Sequence, residues 1–400
     1  MSSGGQAGAV EEMRFMLIVA LLPALMFIFG FSAEAASPAD EWIDRQAGRL
    51  PADEIEAYWR KLTDEYGGYF PETRPPRFRD MLTGGGEFGL AAVLKGLTAY
   101  FFHELVQSGK LLAAIVTLSV FSSILQTLQG AFERNAISKV AYAICYMVII
   151  IIAVGSFSLA VGYARDAIGD MIHFMTAIIP LMLTLLASIG NVATVSVLHP
   201  LIVLMIHVVG TAIYTVVFPL LFFSAVLHIV SALSDKYKAT QLADLLRSVG
   251  AAVLGVMLTA FLGVITVRGA TAAVADGVTL RTAKYIAGNF VPVIGKMFTE
   301  AADSVAGASL LVKNAVGLAG VMILVLICAF PAMKILALAL IYSLAGAIMQ
   351  PLGESPIIEC LQMIGKNLVY VFAALAAVGL MFFFAMTIII TSGNIALMMR

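Results

Sequence analysis

Charge is what this chain lacks most. Of its 400 residues only 12% are Asp, Glu, Lys or Arg, against 61% hydrophobic, where an ordinary soluble chain carries about 25% charged. So little polar surface cannot wrap a globule in water, and the composition is that of a membrane protein. The formal net charge of −1 leaves no basic excess to neutralise phosphates, so no nucleic-acid partner is expected. Cysteine is scarce too. Cys145, Cys328 and Cys360 lie in or beside apolar stretches without CxxC spacing, which encodes neither a disulfide framework nor a zinc site. GxxxxGK[ST], HExxH and GxSxG strings are missing as well, and with them any nucleotide cradle, zinc-hydrolase helix or nucleophile elbow of those kinds. The chain is expected to be no enzyme and to hold no cofactor or metal; an ATP-driven role would need a separate subunit.

What charge there is sits unevenly. Residues 36–110 hold 21 of the 49 charged side chains, and residues 111–400 hold 24. This predicts a small polar domain, 36–109, followed by a polytopic membrane domain, 110–400. Ahead of them, residues 1–35 read as leader and signal peptide. Arg14 supplies the positive region, Phe15 to Gly30 the apolar run, and Ala33-Glu34-Ala35 an A-x-A site with cleavage after Ala35. The alternative is an uncleaved first span, short for a ~30 Å hydrocarbon core. A signal peptide would put the 36–109 domain outside the cytoplasm. Pro51 with Asp53, Glu54 and Glu56 marks a helix start there, because acidic residues suit a first turn and proline its first position. A second helical stretch follows Gly84-Gly-Gly. The domain is either a plain helical cap or a docking site for an extracytoplasmic partner.

The expected fold class is all-α and polytopic. Charge-free stretches at 111–128, 140–161, 248–267 and 368–391 are of spanning length, and 64 residues between Asp170 and Asp235 contain no formal charge at all. A parallel internal repeat at an offset of 112 places Pro180 on Pro292 and Phe218-Pro219 on Phe330-Pro331. The units would be 126–237 and 238–349, with a partial third copy over 343–400. In the second unit, 281–316 carries Lys284, Lys296, Glu300, Asp303 and Lys313, too many charges for a lipid-facing crossing. That segment, and 171–197 by the repeat, are expected to be re-entrant or interfacial hairpins, covered by protein or lining a cavity. The elements 198–232 and 317–350 are too long for a single straight crossing, so Pro219 and Pro331 are expected to break or kink them, and Pro180 and Pro292, which start the hairpins, are the other expected helix breaks. Six crossings result, or seven to eight if a long element is two. Both sets of loops carry six Lys/Arg, so only the signal peptide orients the chain.

Individual polar residues invite functional and plain readings side by side. His199 and His207, eight apart, can share a helix face as a proton relay, yet with His228 they also suit satisfied contacts at helix ends. Lys334, just past Pro331, either snorkels, pairs with carbonyls freed at the break, or lines a pathway. In 235–249, Leu242, Leu245, Leu246 and Val249 form an apolar stripe that predicts an amphipathic elbow at the membrane surface. After Pro292, Lys296, Glu300 and Asp303 recur at i, i+4 and i+7, a polar strip that either faces the interface or faces a pore or partner subunit.

Several strings together carry a family resemblance. They are Leu50-Pro-Ala-Asp-Glu-Ile-Glu with Glu65-Tyr-Gly-Gly, Ser138-Lys-Val-Ala-Tyr, and Tyr237-Lys-Ala-Thr-Gln-Leu-Ala-Asp-Leu-Leu-Arg. The run from Gly263 to Lys284, Gly288-Asn-Phe-Val-Pro-Val-Ile-Gly-Lys-Met-Phe-Thr, Phe330-Pro-Ala-Met-Lys, Gln350-Pro-Leu-Gly and Thr391-Ser-Gly-Asn complete the set. Over nearly its full length the chain resembles the stage III sporulation protein AE family of endospore-forming bacteria. The resemblance implies a multi-pass protein of the mother-cell membrane around the forespore. It further implies a channel or secretion-like complex with other membrane and ring-forming proteins of the same operon, an ATPase among them, and a forespore-side membrane partner. Such a complex serves forespore development and late forespore-specific sigma-factor activity. The reading that competes with it is a stand-alone secondary transporter for a small molecule.

Overall fold

The computed structural model describes residues 53–70, 90–131, 136–233, 239–290, 294–352 and 355–398, and among them every regular element is a helix. In chain order these are α1 (Asp53–Tyr66), α2 (Leu90–Gln107), α3 (Gly109–Ala131), α4 (Ala136–Ser188), α5 (Val192–Ala212), α6 (Phe218–Leu233), α7 (Thr240–Phe290), α8 (Ile294–Met349) and α9 (Pro356–Met398). A π-helical turn, Ile213–Val217, joins α5 to α6. The signal segment with Ala35, and Pro292, lie outside the described residues.

Six stretches are long and apolar enough to cross a membrane: Ala91–Thr127, Val140–Ser188, Val192–Ala232, Thr240–Ala283, Ser309–Met349 and Pro356–Asn394. The multi-pass, all-helical reading therefore holds. Each is longer than the ~20 residues that a hydrocarbon core requires. α4 alone, at 53 residues, is about 80 Å long.

The α8–α9 pair forms the centre. Leu368, Val371, Leu375, Val378, Met381, Phe382, Ala385, Met386 and Ile389 recur at helical spacing along α9 and all are buried. Small residues let the neighbours close in. Gly379 lies under Cys328 of α8, and Gly317 and Gly320 of α8 lie under Ile390, Met386, Met182 and Ile178 from α9 and α4. With no water to expel between helices, such close backbone approach is what gives membrane helices their packing attraction.

Two expectations are corrected. α4 continues through Pro180 and α8 through Pro331, so neither proline ends a helix. At Pro180 the Thr176 carbonyl loses its amide donor without the helix ending. Near Pro219 the irregularity precedes the proline, as the π turn, the kind of bulge that relieves a lost amide donor. The elbow is also not a separate helix. Its apolar residues Leu242, Leu245 and Val249 are exposed on the first turns of α7, which runs on without interruption for 51 residues.

The α4–α5 hairpin closes at Ile189-Gly190-Asn191. Gly190 has φ +94°, its N–H donates to the Ala187 carbonyl at 2.9 Å, and the Asn191 N–H donates to the Leu186 carbonyl at 3.2 Å. That pair of bonds is a Schellman ending, which needs a left-handed residue where Gly190 stands.

Candidate functional site

Polar side chains buried within an apolar body are the natural place to look for function, because each costs free energy unless it has a partner. Three such centres emerge.

The first lies at the tip of the α4–α5 hairpin. Asn191 stands at the N-cap of α5 yet makes no cap hydrogen bond with its side chain. A residue from another helix does this instead: Asp276 of α7 accepts from the Ala193 and Thr194 amides, each at 2.8 Å. The carboxylate also opposes the positive end of the α5 dipole. Close by, Lys313 of α8 is fully buried; its ammonium donates to the Ile390 carbonyl at 2.7 Å and to Asn394 Oδ1 at 3.2 Å, both on α9. Gly393 makes room for that ammonium, with Asn191 Nδ2 on the same side. The centre therefore ties α4–α5, α7, α8 and α9 together at one end of the body.

The second centre lies at the opposite end, where α6, the start of α7 and α9 converge. His228 is buried. Its Nε2 is 3.3 Å from Asp244 Oδ1, and its Nδ1 is 3.4 Å from Asn367 Nδ2. An amide nitrogen can only donate, so Nδ1 accepts and the ring proton sits on Nε2, which donates to the carboxylate. Ser224 Oγ donates to the Ala243 carbonyl at 2.7 Å. Arg247 pairs with Asp244 and lies 5.0 Å over the Tyr370 ring. His228 is thus a satisfied histidine at a helix contact, one of the two readings open from sequence.

The third centre is where the N-terminal segment meets the body. α1 buries Ile55, Trp59 and Leu62, and its polar face reaches across: Lys61 Nζ donates to Asp170 Oδ2 of α4 at 2.8 Å. That hydrogen bond is the main cause that raises the Lys61 pKa. Tyr58 meets Phe174 edge-on at 5.7 Å, and Tyr66 stacks on Phe330 at 4.0 Å. Burial raises the Tyr66 phenol well above its ordinary range. Next to Phe330, Lys334 lies 3.7 Å from Glu104 of α2 and 4.4 Å over the Tyr163 ring. Lys334 therefore pairs with a carboxylate and an aromatic face.

Of the residues singled out from sequence, Lys296, Glu300 and Asp303 fall on the first turns of α8, while their side chains lie outside the described residues. Sequence reasoning missed Asp276 and Asn191, and read Lys313 only as one of the charges that keep 281–316 from crossing. A Gly-Asn pair at 190–191, 288–289 and 393–394 was the available signal, since two of the three converge on Lys313. Among the described residues no group of three His, Cys, Asp or Glu is arranged to hold a metal ion.

Comparison with known proteins gives the setting. The family model for stage III sporulation protein AE matches residues 76–393. The stage III sporulation protein AE of Bacillus subtilis (strain 168) is 50% identical over 365 residues, covering 91% of this chain and 92% of that protein. No solved structure matches. With four-fifths of its length matched by the family model and half its residues shared with a relative of nearly equal extent, this chain belongs to the stage III sporulation protein AE family.

Proposed function

We propose that this chain is an integral membrane subunit of a channel or secretion-like complex between mother cell and forespore. It acts by assembly and not by catalysis. The observation that carries this is the combination of a sporulation family with a body of six apolar helices cross-tied by buried polar centres. Such a body is built to hold one arrangement within a larger assembly. Its place is the mother-cell membrane around the forespore, and its partners are the operon's other membrane and ring-forming proteins, an ATPase, and a membrane protein on the forespore side. Its output is continued forespore development and late forespore-specific sigma-factor activity.

The decisive experiment is affinity purification of the full-length protein in mild detergent from sporulating cells. Recovery of the ATPase and the operon's other membrane proteins supports the assembly. Protein that purifies alone and moves a labelled solute into liposomes overturns it in favour of a stand-alone transporter. The strip Lys296, Glu300 and Asp303 belongs to the same proposal: Ala at each is expected to lower spore yield while the protein still accumulates in the membrane. Normal spore yield from all three would remove that strip from the working surface.

A further inference from the structure

One flank of the body has the wrong chemistry for lipid. On the second half of α4 the buried face is wholly apolar, with Ile168, Met171, Phe174, Met175, Ile178, Met182 and Leu186. Its outward face reads Asp166, Asp170, His173, Thr176, Pro180, Thr184 and Ser188 at spacings of three and four, each exposed or half-exposed. From Asp166 to Ser188 this polar stripe is about 33 Å long, close to the ~30 Å thickness of a bilayer core.

The helices on either side continue it. α1 joins through Lys61 and Asp170, and an open groove between the two helices is lined by Glu54, Tyr58, Lys61, Asp170, His173 and Thr176. On the other side Tyr214, in the π turn after α5, donates its hydroxyl to the Arg165 carbonyl at 2.8 Å while the Arg165 guanidinium sits 5.4 Å over its ring. On α5, which precedes Tyr214, Ser196, His199 and His207 are exposed among the apolar Val197, Leu204 and Val208.

Depth decides what this face meets. Gly250 of α7 lies against Leu220 and Leu221, and Gly269 lies against Leu198; the 19 residues between them span about 29 Å. Tyr214 lies between those two levels, and with it Arg165 and Asp170. At the same depth the outward face of α7 presents Val256, Val264 and Val267, and 248–267 carries no charge. At this depth α7 carries no formal charge over 248–267, whereas the α1–α4 flank carries Lys61, Arg165 and Asp170. Charged side chains at that depth face a water-filled cavity or another protein.

We propose that the α1–α4–α5 face lines an aqueous passage at membrane depth, taking water and small hydrophilic solutes, with His173, His199 and His207 along its wall. This deepens the channel reading above and rests on it, but the two fail separately. The test is thiol accessibility in native membranes. Single cysteines replace His173, His199 or His207 on one face and Val256 or Val264 on the other. Labelling by a charged, membrane-impermeant thiol reagent is corrected for the unsubstituted chain, whose three thiols are half-buried or buried. The hairpin positions are expected to react roughly tenfold faster than the α7 positions, because the thiolate that reacts needs water. Equal rates overturn the proposal: fast labelling at both sets means that the level lies outside the bilayer, and slow labelling at both means that lipid or protein covers the face. Repeating the labelling without the operon's other proteins separates the readings. Reactivity that persists there belongs to this chain whatever the purification experiment returns, and reactivity that disappears overturns an intrinsic lining.

Discussion

The Asp276 cap makes the sharpest energetic prediction. Two backbone amides in the first turn of α5, Ala193 and Thr194, each donate to one oxygen of this carboxylate at 2.8 Å. Asp276 and Thr194 are both buried. Replacing Asp276 with Ala removes both acceptors and leaves two orphaned donors away from water. Hydrogen bonds to a charged group contribute about 1.5–3 kcal/mol each, and an unsatisfied buried donor keeps its desolvation cost. The fold has a partial remedy: Asn191 occupies the N-cap position with both side-chain polar atoms unpartnered among the described residues, and a neutral cap recovers about 1 kcal/mol. A net loss of about 3 kcal/mol is expected for Asp276→Ala, and about half that for Asp276→Asn, which keeps one acceptor oxygen.

The assay is denaturant-induced unfolding of the detergent-purified protein, paired with hydrogen exchange at the Ala193 and Thr194 amides. Both amides should lose protection in Asp276→Ala. Asn191→Ala alone should cost little, but in the Asp276→Ala background it should cost about 1 kcal/mol more than it does alone, since the two residues then share one task. An Asp276→Ala protein that unfolds at the wild-type midpoint with both amides still protected would refute the reasoning, because α5 would then be held by packing and not by its cap.

Three further outcomes follow from the other centres. Asn367 is fully buried, with its Nδ2 on His228 and its Oδ1 unpartnered among the described residues. Asn367→Leu is therefore expected to shift the unfolding midpoint by less than about 1 kcal/mol, whereas Asn367→Asp, which buries a charge, should cost about 3 kcal/mol or more. Lys61→Ala should weaken α1 docking only slightly, by about 0.5 kcal/mol, and less in high salt, because the pair with Asp170 is substantially exposed. The same pair sets a pH dependence. The folded pKa of Lys61 is raised above its ordinary value of 10.5 by the hydrogen bond to Asp170, so its contribution is fully present below pH 10.5 and is lost as pH rises through the folded value. Proteolytic release of α1 should accelerate only on that alkaline side, and a loss of α1 near neutral pH would contradict the assignment.

Sequence carried the lipid-facing part of this fold and little of the rest, for a physical reason. Hydropathy reports which solvent a stretch prefers, so the six apolar stretches could be read from charge-free runs such as 140–161 and 248–267. Partner choice inside an apolar body leaves no such mark. Nothing in composition pairs Asp276 with an amide 82 residues away, or Lys334 with Glu104, or sets Tyr66 on Phe330. Glycine shows the limit most clearly, since the same letter means opposite things on two helices. A methyl group on Gly320 of α8 would collide with the Ile178 side chain and meet Met386 Cε at 3.1 Å; on Gly255 or Gly263 of α7 it would meet nothing within 4 Å. Gly320→Ala should therefore destabilise the body by about 1–3 kcal/mol through overpacking. Gly255→Ala and Gly263→Ala should leave it unchanged or stabilise it by about 0.5–1 kcal/mol, the helix preference of Ala over Gly. Unfolding midpoints for the three variants measure this directly. If Gly255→Ala or Gly263→Ala were the damaging change, that side of α7 would be packed against another protein and not against lipid.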